Sequence, residues 1–166
     1  MNYAIVYASQ TGNTKLIAQT IRDALPAEKV IYFGEDGQRA LSADRIYVGF
    51  WTDKGSCDSK TAEFLKTLTN QQVFLFGTAG FGGQPSYFEK ILEKTKEYLS
   101  ADCHVVGTYL CQGKMPMSVR ERYVNMQKNQ APVPNLQGMI DNFDKALSHP
   151  DQQDLDGARK AVLDSI

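Results

Sequence analysis

The chain has 166 residues, 42% of them hydrophobic and 22% charged, with a formal net charge of −1; this composition suits one folded domain spanning 1–166, long enough to bury about 70% of the surface its unfolded chain exposes. A charge so near zero gives no electrostatic case for nucleic acid or an anionic membrane as partner, and no apolar run approaches the roughly 20 residues that span a bilayer. The N-terminus carries no signal-peptide pattern, and the three cysteines (Cys57, Cys103, Cys111) are odd in number without Cys-x-x-Cys spacing, which fits free thiols in a reduced, cytoplasmic setting.

Tyr3–Ala8 is a β-branched and aromatic run that reads as a buried strand. It turns at once through Ser9-Gln10-Thr11-Gly12-Asn13-Thr14 into a helix marked by Leu16, Ile17, Thr20, Ile21 and Leu25, which stops at Pro26. Lys29–Phe33 is a second strand, and Glu35–Ser42 after it shows no clear long helix. Asp44–Trp51 is a third strand; Asp58 then caps a helix carrying Ala62, Phe64, Leu65 and Leu68. Gln72–Gly77 is a fourth strand, followed by a glycine-rich loop and a helix that opens at Pro85-Ser86. His104–Cys111 is a fifth strand. Val119–Gln127 and Leu136–Leu147 read as helices, and His149-Pro150 breaks the chain before a charged terminal helix at Gln152–Leu163.

Strand–helix alternation with continuously apolar strands implies an α/β fold with a parallel sheet covered on both faces. Five such strands predict the order 2-1-3-4-5, with ligands bound above the carboxyl ends of strands one and three. The loops after strands one, three and four therefore hold the candidate site. The first is made of donors: hydroxyls of Ser9, Thr11 and Thr14, amides of Gln10 and Asn13, and Gly12 to let backbone come close. Unpaired N–H groups at the positive end of a helix suit a phosphate. Without Lys or Arg inside it, this loop would neutralise that phosphate by dipoles and hydroxyls. It is neither a Walker loop nor a Gly-x-Gly-x-x-Gly turn.

The second loop, Phe50–Ser56, holds the chain's one tryptophan, Trp51, at a strand end. Trp51 serves either as core packing or as a flat surface for a flat ligand, with Gly55 giving backbone freedom. The third, Phe76–Tyr87, sets four glycines among Phe81 and Tyr87 and can present backbone groups to the edge of a planar ring. Together they describe a ligand with a terminal phosphate and a large planar ring.

At these residues the chain resembles the flavodoxin-type FMN-binding family over about residues 2–148. The family's Thr/Ser-x-Thr-Gly-x-Thr phosphate motif matches Ser9–Thr14 residue for residue, and Gly77-Thr78-Ala79-Gly80 resembles its loop after strand four. The resemblance implies a flavodoxin-like three-layer sandwich with FMN as cofactor. Its phosphate would be held by Ser9, Gln10, Thr11, Gly12, Asn13 and Thr14, without a salt bridge. Trp51 and either Phe81 or Tyr87 would cover the ring faces. Backbone at Thr52, Asp53, Gly55, Thr78, Ala79, Gly80, Phe81 and Gly82 would meet the ring edge, the Gly55 loop tuning its potential.

The chain departs from the acidic carriers of that family, whose charge steers them onto basic reductases. Its segment Leu110–Tyr123 leaves strand five close to the expected ring and combines Lys114, Arg120 and Arg122 with Met115, Met117 and Tyr123, a rim beside the flavin for a partner protein or an anionic planar substrate, or simply a solvated helix start. In this it resembles a flavodoxin-like subgroup of anaerobic bacteria, some members of which are associated with bilirubin reduction. The expected function is electron transfer between a reductase and an acceptor enzyme; the alternative is direct oxidoreduction of a quinone or tetrapyrrole, with Lys114 or Arg120 orienting it. A phosphoacceptor module shares the strand order, yet Tyr7-Ala8-Ser9-Gln10 lacks its acidic pair, leaving Asp53 and Lys114 insufficient. His104 and His149 are expected to lie outside any chemistry, and no metal set is expected.

Overall fold

Crossover connections put helices on both faces of a parallel sheet, so its central strands become continuously apolar. In the computed structural model, which describes residues 1–166, the strands are β1 (Tyr3–Tyr7), β2 (Val30–Gly34), β3 (Arg45–Asp53), β4 (Ser56–Cys57), β5 (Gln72–Ala79) and β6 (His104–Gln112). The order is β2-β1-β3-β5-β6, parallel throughout, and β4 pairs antiparallel with the end of β3. The expected order 2-1-3-4-5 is therefore present, with one strand more than the five expected. The addition is a tight hairpin whose turn residues Lys54 (φ 52°) and Gly55 (φ 82°) are both left-handed, as a two-residue turn of type I′ requires. Lys-Gly lacks the Asn or Asp that ordinarily marks such a turn.

The helices are α1 (Asn13–Ala24), α2 (Ser59–Leu65), α3 (Pro85–Lys96), α4 (Met117–Lys128), α5 (Leu136–Ala146) and α6 (Gln152–Asp164). Asp58 caps α2 as expected, accepting from the Thr61 N–H at 3.0 Å and its hydroxyl at 2.8 Å. Between β2 and β3 only a 3-10 turn, Gly37–Ala40, forms, in keeping with the missing periodicity there.

Alternation along the strands sends side chains to two apolar layers. Ile46, Val48, Phe50, Val73 and Leu75 pack with Ala62 and Leu65 of α2 and Ile91 of α3. Tyr3, Ile5, Tyr47, Phe74 and Phe76 pack with Ile17, Ala18 and Ile21 of α1 and Ala158 and Val162 of α6. The charged terminal helix thus buries a stripe in the main body. It starts at a capping box between Asp151 and Asp154. It is held by Tyr109 Oη donating to the Asp154 carbonyl (2.7 Å) and by the buried Arg45 donating to the Ser165 carbonyl (2.9 Å). Helices α4 and α5 form a small cluster of their own around Tyr123, Leu136 and Ile140. His104 opens β6 and is exposed, at the sheet end opposite the loops discussed above.

Beneath α6, burial pushes the Cys111 thiol and the Tyr109 hydroxyl well above their ordinary ranges, with the Asp154 and Asp151 carboxylates adding to the effect. Both groups keep their protons in the folded chain at pH values where the unfolded chain releases them. Their contribution to stability is therefore complete below about pH 8.5 and is lost as pH rises past it. The thermal midpoint is expected to be flat from about pH 7 to 8.5 and to fall by about pH 10.5; a midpoint unchanged over the alkaline range contradicts this.

Candidate functional site

Above the carboxyl ends of β1, β3 and β5 lies a crevice lined by Gln10, Thr11, Asn13, Thr14, Trp51, Thr52, Thr78, Ala79 and Gly80, and closed by Gly113, Lys114, Met115 and Pro116. Its volume is about 70 Å³, space for two or three waters at about 30 Å³ each. The first wall is the β1–α1 loop. Gly12 adopts φ 90°, ψ −8°, a left-handed conformation open to glycine at no steric cost, and its carbonyl accepts the Leu16 N–H at 3.1 Å. No side chain caps α1; Ser9 Oγ instead accepts the Lys15 N–H at 3.3 Å.

The first turn of α1 also ties the strand ends together. Thr14 Oγ1 donates to the Phe50 carbonyl at 3.1 Å and meets Thr78 Oγ1 at 3.1 Å, both within buried surroundings. Its hydroxyl is thus engaged inside the protein. Asn13 Nδ2 donates to the Lys114 carbonyl at 2.8 Å, and a Cβ on Gly113 would lie 2.5 Å from that nitrogen.

The second wall is the end of β3. Trp51 is half-buried, in register with Thr78, and belongs to neither of the two large apolar clusters. Thr52 Oγ1 donates to the Thr78 carbonyl at 2.9 Å. The third wall is β5, which runs on through Thr78 and Ala79 so that only Gly80–Gln84 is open loop. Gly77 lies inside the strand, a would-be Cβ 2.8 Å from the Phe50 carbonyl, so its role is close strand packing. Gly80 lies under Met115, whose Cγ would be 2.5 Å from a Cβ there, and its carbonyl accepts Asn142 Nδ2 at 2.8 Å.

Of the sequence candidates, Gln10, Thr11, Asn13, Thr14, Trp51, Thr52, Thr78, Ala79 and Gly80 meet around one crevice. Ser9 sits behind the loop, and Gly12 faces an adjoining hollow. Asp53 and Gly55 belong to the β3–β4 hairpin, with Lys94 Nζ 3.7 Å from a would-be Gly55 Cβ. Phe81 is 57% exposed; Tyr87 is half-buried, leaning on the core beside Phe88, and burial raises its hydroxyl pKa. Gly82 lies in the open loop. Lys114 and Met115, expected on a rim close to the ring, line the crevice as well; sequence reading gave no role to Gly113, Pro116 or Asn142. A polar residue on α5 that folds back on a carbonyl 62 positions away carries no local signal.

No carboxylate lines the crevice. A larger open hollow of about 530 Å³, between the Gly37–Ala40 turn and α2, shares no residue with it. His149, Asp151 and Asp154 bring ligand-type atoms within 4.8 Å of one another. Their oxygens already serve the α6 capping box, and Asp154 also meets His149 Nδ1 at 2.7 Å.

A family model described as a flavodoxin domain matches residues 4–163. The flavodoxin-like domain-containing protein BilS of Clostridium symbiosum is 34% identical over 183 aligned positions, which take in 100% of this chain and 96% of that protein. Among solved structures, a flavodoxin of Streptococcus pneumonia TIGR4 matches with a TM-score of 0.59 at 16% identity, over 98% of this chain and 96% of that one. A flavoprotein from Lactobacillus acidophilus NCFM in complex with FMN matches with a TM-score of 0.50 at 15% identity, over 66% and 93%.

Thr14→Val keeps the shape of the side chain and removes the hydroxyl that joins β3 and β5. We expect it to lower unfolding free energy in urea by about 1–2 kcal/mol, the cost of stranding buried partners; a change under about 0.3 kcal/mol contradicts the tie described above.

Proposed function

The chain belongs to the flavodoxin-domain family, and from that premise we propose that residues 1–166 act as one FMN-binding domain passing electrons between a reductase and an acceptor enzyme. The observation that carries the reading is the lining of the crevice: hydroxyl, amide and backbone donors at the start of α1, no carboxylate, and Trp51 on the wall. This donor set fits a phosphate dianion and a flat ring. FMN, when bound, supplies a ring system that accepts and releases electrons.

The enclosed space suits a phosphate-sized group, so the ring belongs along the open mouth beside Trp51. In this proposal Thr11, Gly12 and Asn13 hold the phosphate chiefly through N–H groups, because the Ser9 and Thr14 hydroxyls are already engaged. Trp51 covers one ring face. Phe81 is the better candidate for the other, since it is exposed while Tyr87 leans on the core. Electron transfer requires no acid or base at the ring, only a bound ring with one edge open to a partner. A reduced cytoplasmic setting belongs to the same proposal; no helix is long and apolar enough to cross a membrane.

Direct oxidoreduction of a quinone or of a tetrapyrrole such as bilirubin is the second reading. It is favoured by an apolar mouth: Phe81 follows the Gly80 that Met115 touches, and Met117 is 55% exposed. Arg120 is not free to orient such a substrate, being joined to Asp144 by two hydrogen bonds of 2.8 and 3.2 Å.

Two measurements bear on these readings. Trp51→Ala should raise the Kd for FMN by about tenfold, the loss of one stacked aromatic face, and shift the flavin midpoint potentials; unchanged affinity and potentials remove Trp51 from the ring. Holoprotein with NAD(P)H and candidate acceptors should turn over only when a reductase is added. Turnover without a second protein contradicts the carrier reading and supports the direct one.

A further inference from the structure

We infer that Lys114 is the counter-ion of the FMN phosphate, brought over the phosphate loop from the far side of the sheet; the inference rests on the FMN reading above. The Ser9–Thr14 loop holds no cation of its own. Lys114 leaves the end of β6 and is fixed over that loop by its own backbone. Its N–H donates to the His149 carbonyl at 3.0 Å, and its carbonyl accepts Asn13 Nδ2 at 2.8 Å. Gly113 makes the approach feasible, since any side chain there would strike Asn13.

Lys114 lines the crevice together with Gln10, Thr11, Asn13 and Thr14. It also lines the adjoining hollow of about 380 Å³ with Thr11, Gly12, Asn13 and Lys15. It is thus the one cation common to both sides of the phosphate loop. Its side chain is exposed and enters no ion pair. Asp151 and Asp154, close to the His149 whose carbonyl Lys114 binds, are engaged with His149 and with the start of α6. Lys15 flanks the same hollow but does not line the crevice.

A phosphate monoester carries close to two negative charges at neutral pH. Helix-end N–H groups stabilise it through partial charges. A lysine adds a full, compact charge suited to phosphate, and its contribution at an exposed mouth is weakened by salt. The ammonium sits on a flexible stem anchored by a rigid backbone, so it can close over the anion after entry.

The test is a flavin-fluorescence titration of the full chain, stripped of flavin, with FMN and with riboflavin, which lacks the phosphate, at low and high salt. For wild type we expect FMN binding that weakens with salt. Lys114→Met should weaken FMN binding about tenfold, leave the riboflavin Kd within about twofold, and flatten the salt dependence; Lys114→Arg should restore most of the affinity. Equal loss for FMN and riboflavin, or an FMN Kd and salt slope unchanged by Lys114→Met, overturns the assignment while leaving FMN as cofactor. A wild-type chain that takes up no FMN overturns the assignment and the cofactor reading together.

Discussion

The first turn of α1 is the joint on which the upper end of this molecule depends. Two adjacent residues reach in opposite directions. Thr14 binds the Phe50 carbonyl and meets Thr78, joining β3 to β5, while Asn13 holds the Lys114 carbonyl at the end of β6. Three strand ends are therefore referred to one helical turn. The hydroxyl and amide of that turn are engaged internally; Ser9 takes the Lys15 N–H, and Gly12 at the helix start offers no side-chain cap to the N–H groups of Asn13 and Thr14. The same hydrogen bonds that fix the architecture define what the crevice offers: directed donors, a left-handed glycine and a positive helix end.

Packing below supports this arrangement. Tyr47, Phe74 and Phe76 on one face and Phe50, Val48 and Leu75 on the other leave no freedom for the strands to slide, since a shift of one residue would exchange the two faces. Gly77 lets β5 sit close against Phe50. Trp51 stands one residue beyond Phe50, outside both clusters. The point where β3 leaves the core is thus where its largest aromatic ring reaches the wall of the crevice.

Much of this was legible in the chain. The apolar, β-branched and aromatic runs at Tyr3–Ala8 and Gln72–Gly77 announce central parallel strands, Asp58 announces the start of α2, and Ser9–Thr14 announces a donor-rich turn at the crevice because its chemistry is local. Other features were invisible for physical reasons. The β3–β4 hairpin turns on a left-handed Lys54, a residue with no preference for that conformation. The hydrogen bonds that close the crevice, Asn13 to the Lys114 carbonyl and Asn142 to the Gly80 carbonyl, are long-range contacts that no periodicity encodes. The Ser9–Thr14 loop holds no cation of its own; the folded chain brings Lys114 beside it, to the same crevice, from 101 residues along the chain. The terminal helix read as a charged appendage because its buried stripe, Ala158 and Val162, is narrow.

Protein with this crevice is, on this account, an FMN protein, and the visible absorption spectrum of the full chain mixed with FMN tests that most directly. The account predicts uptake of FMN to one per chain, with flavin bands shifted from those of the free cofactor and retained through gel filtration. A chain that elutes colourless after incubation with excess FMN would contradict it.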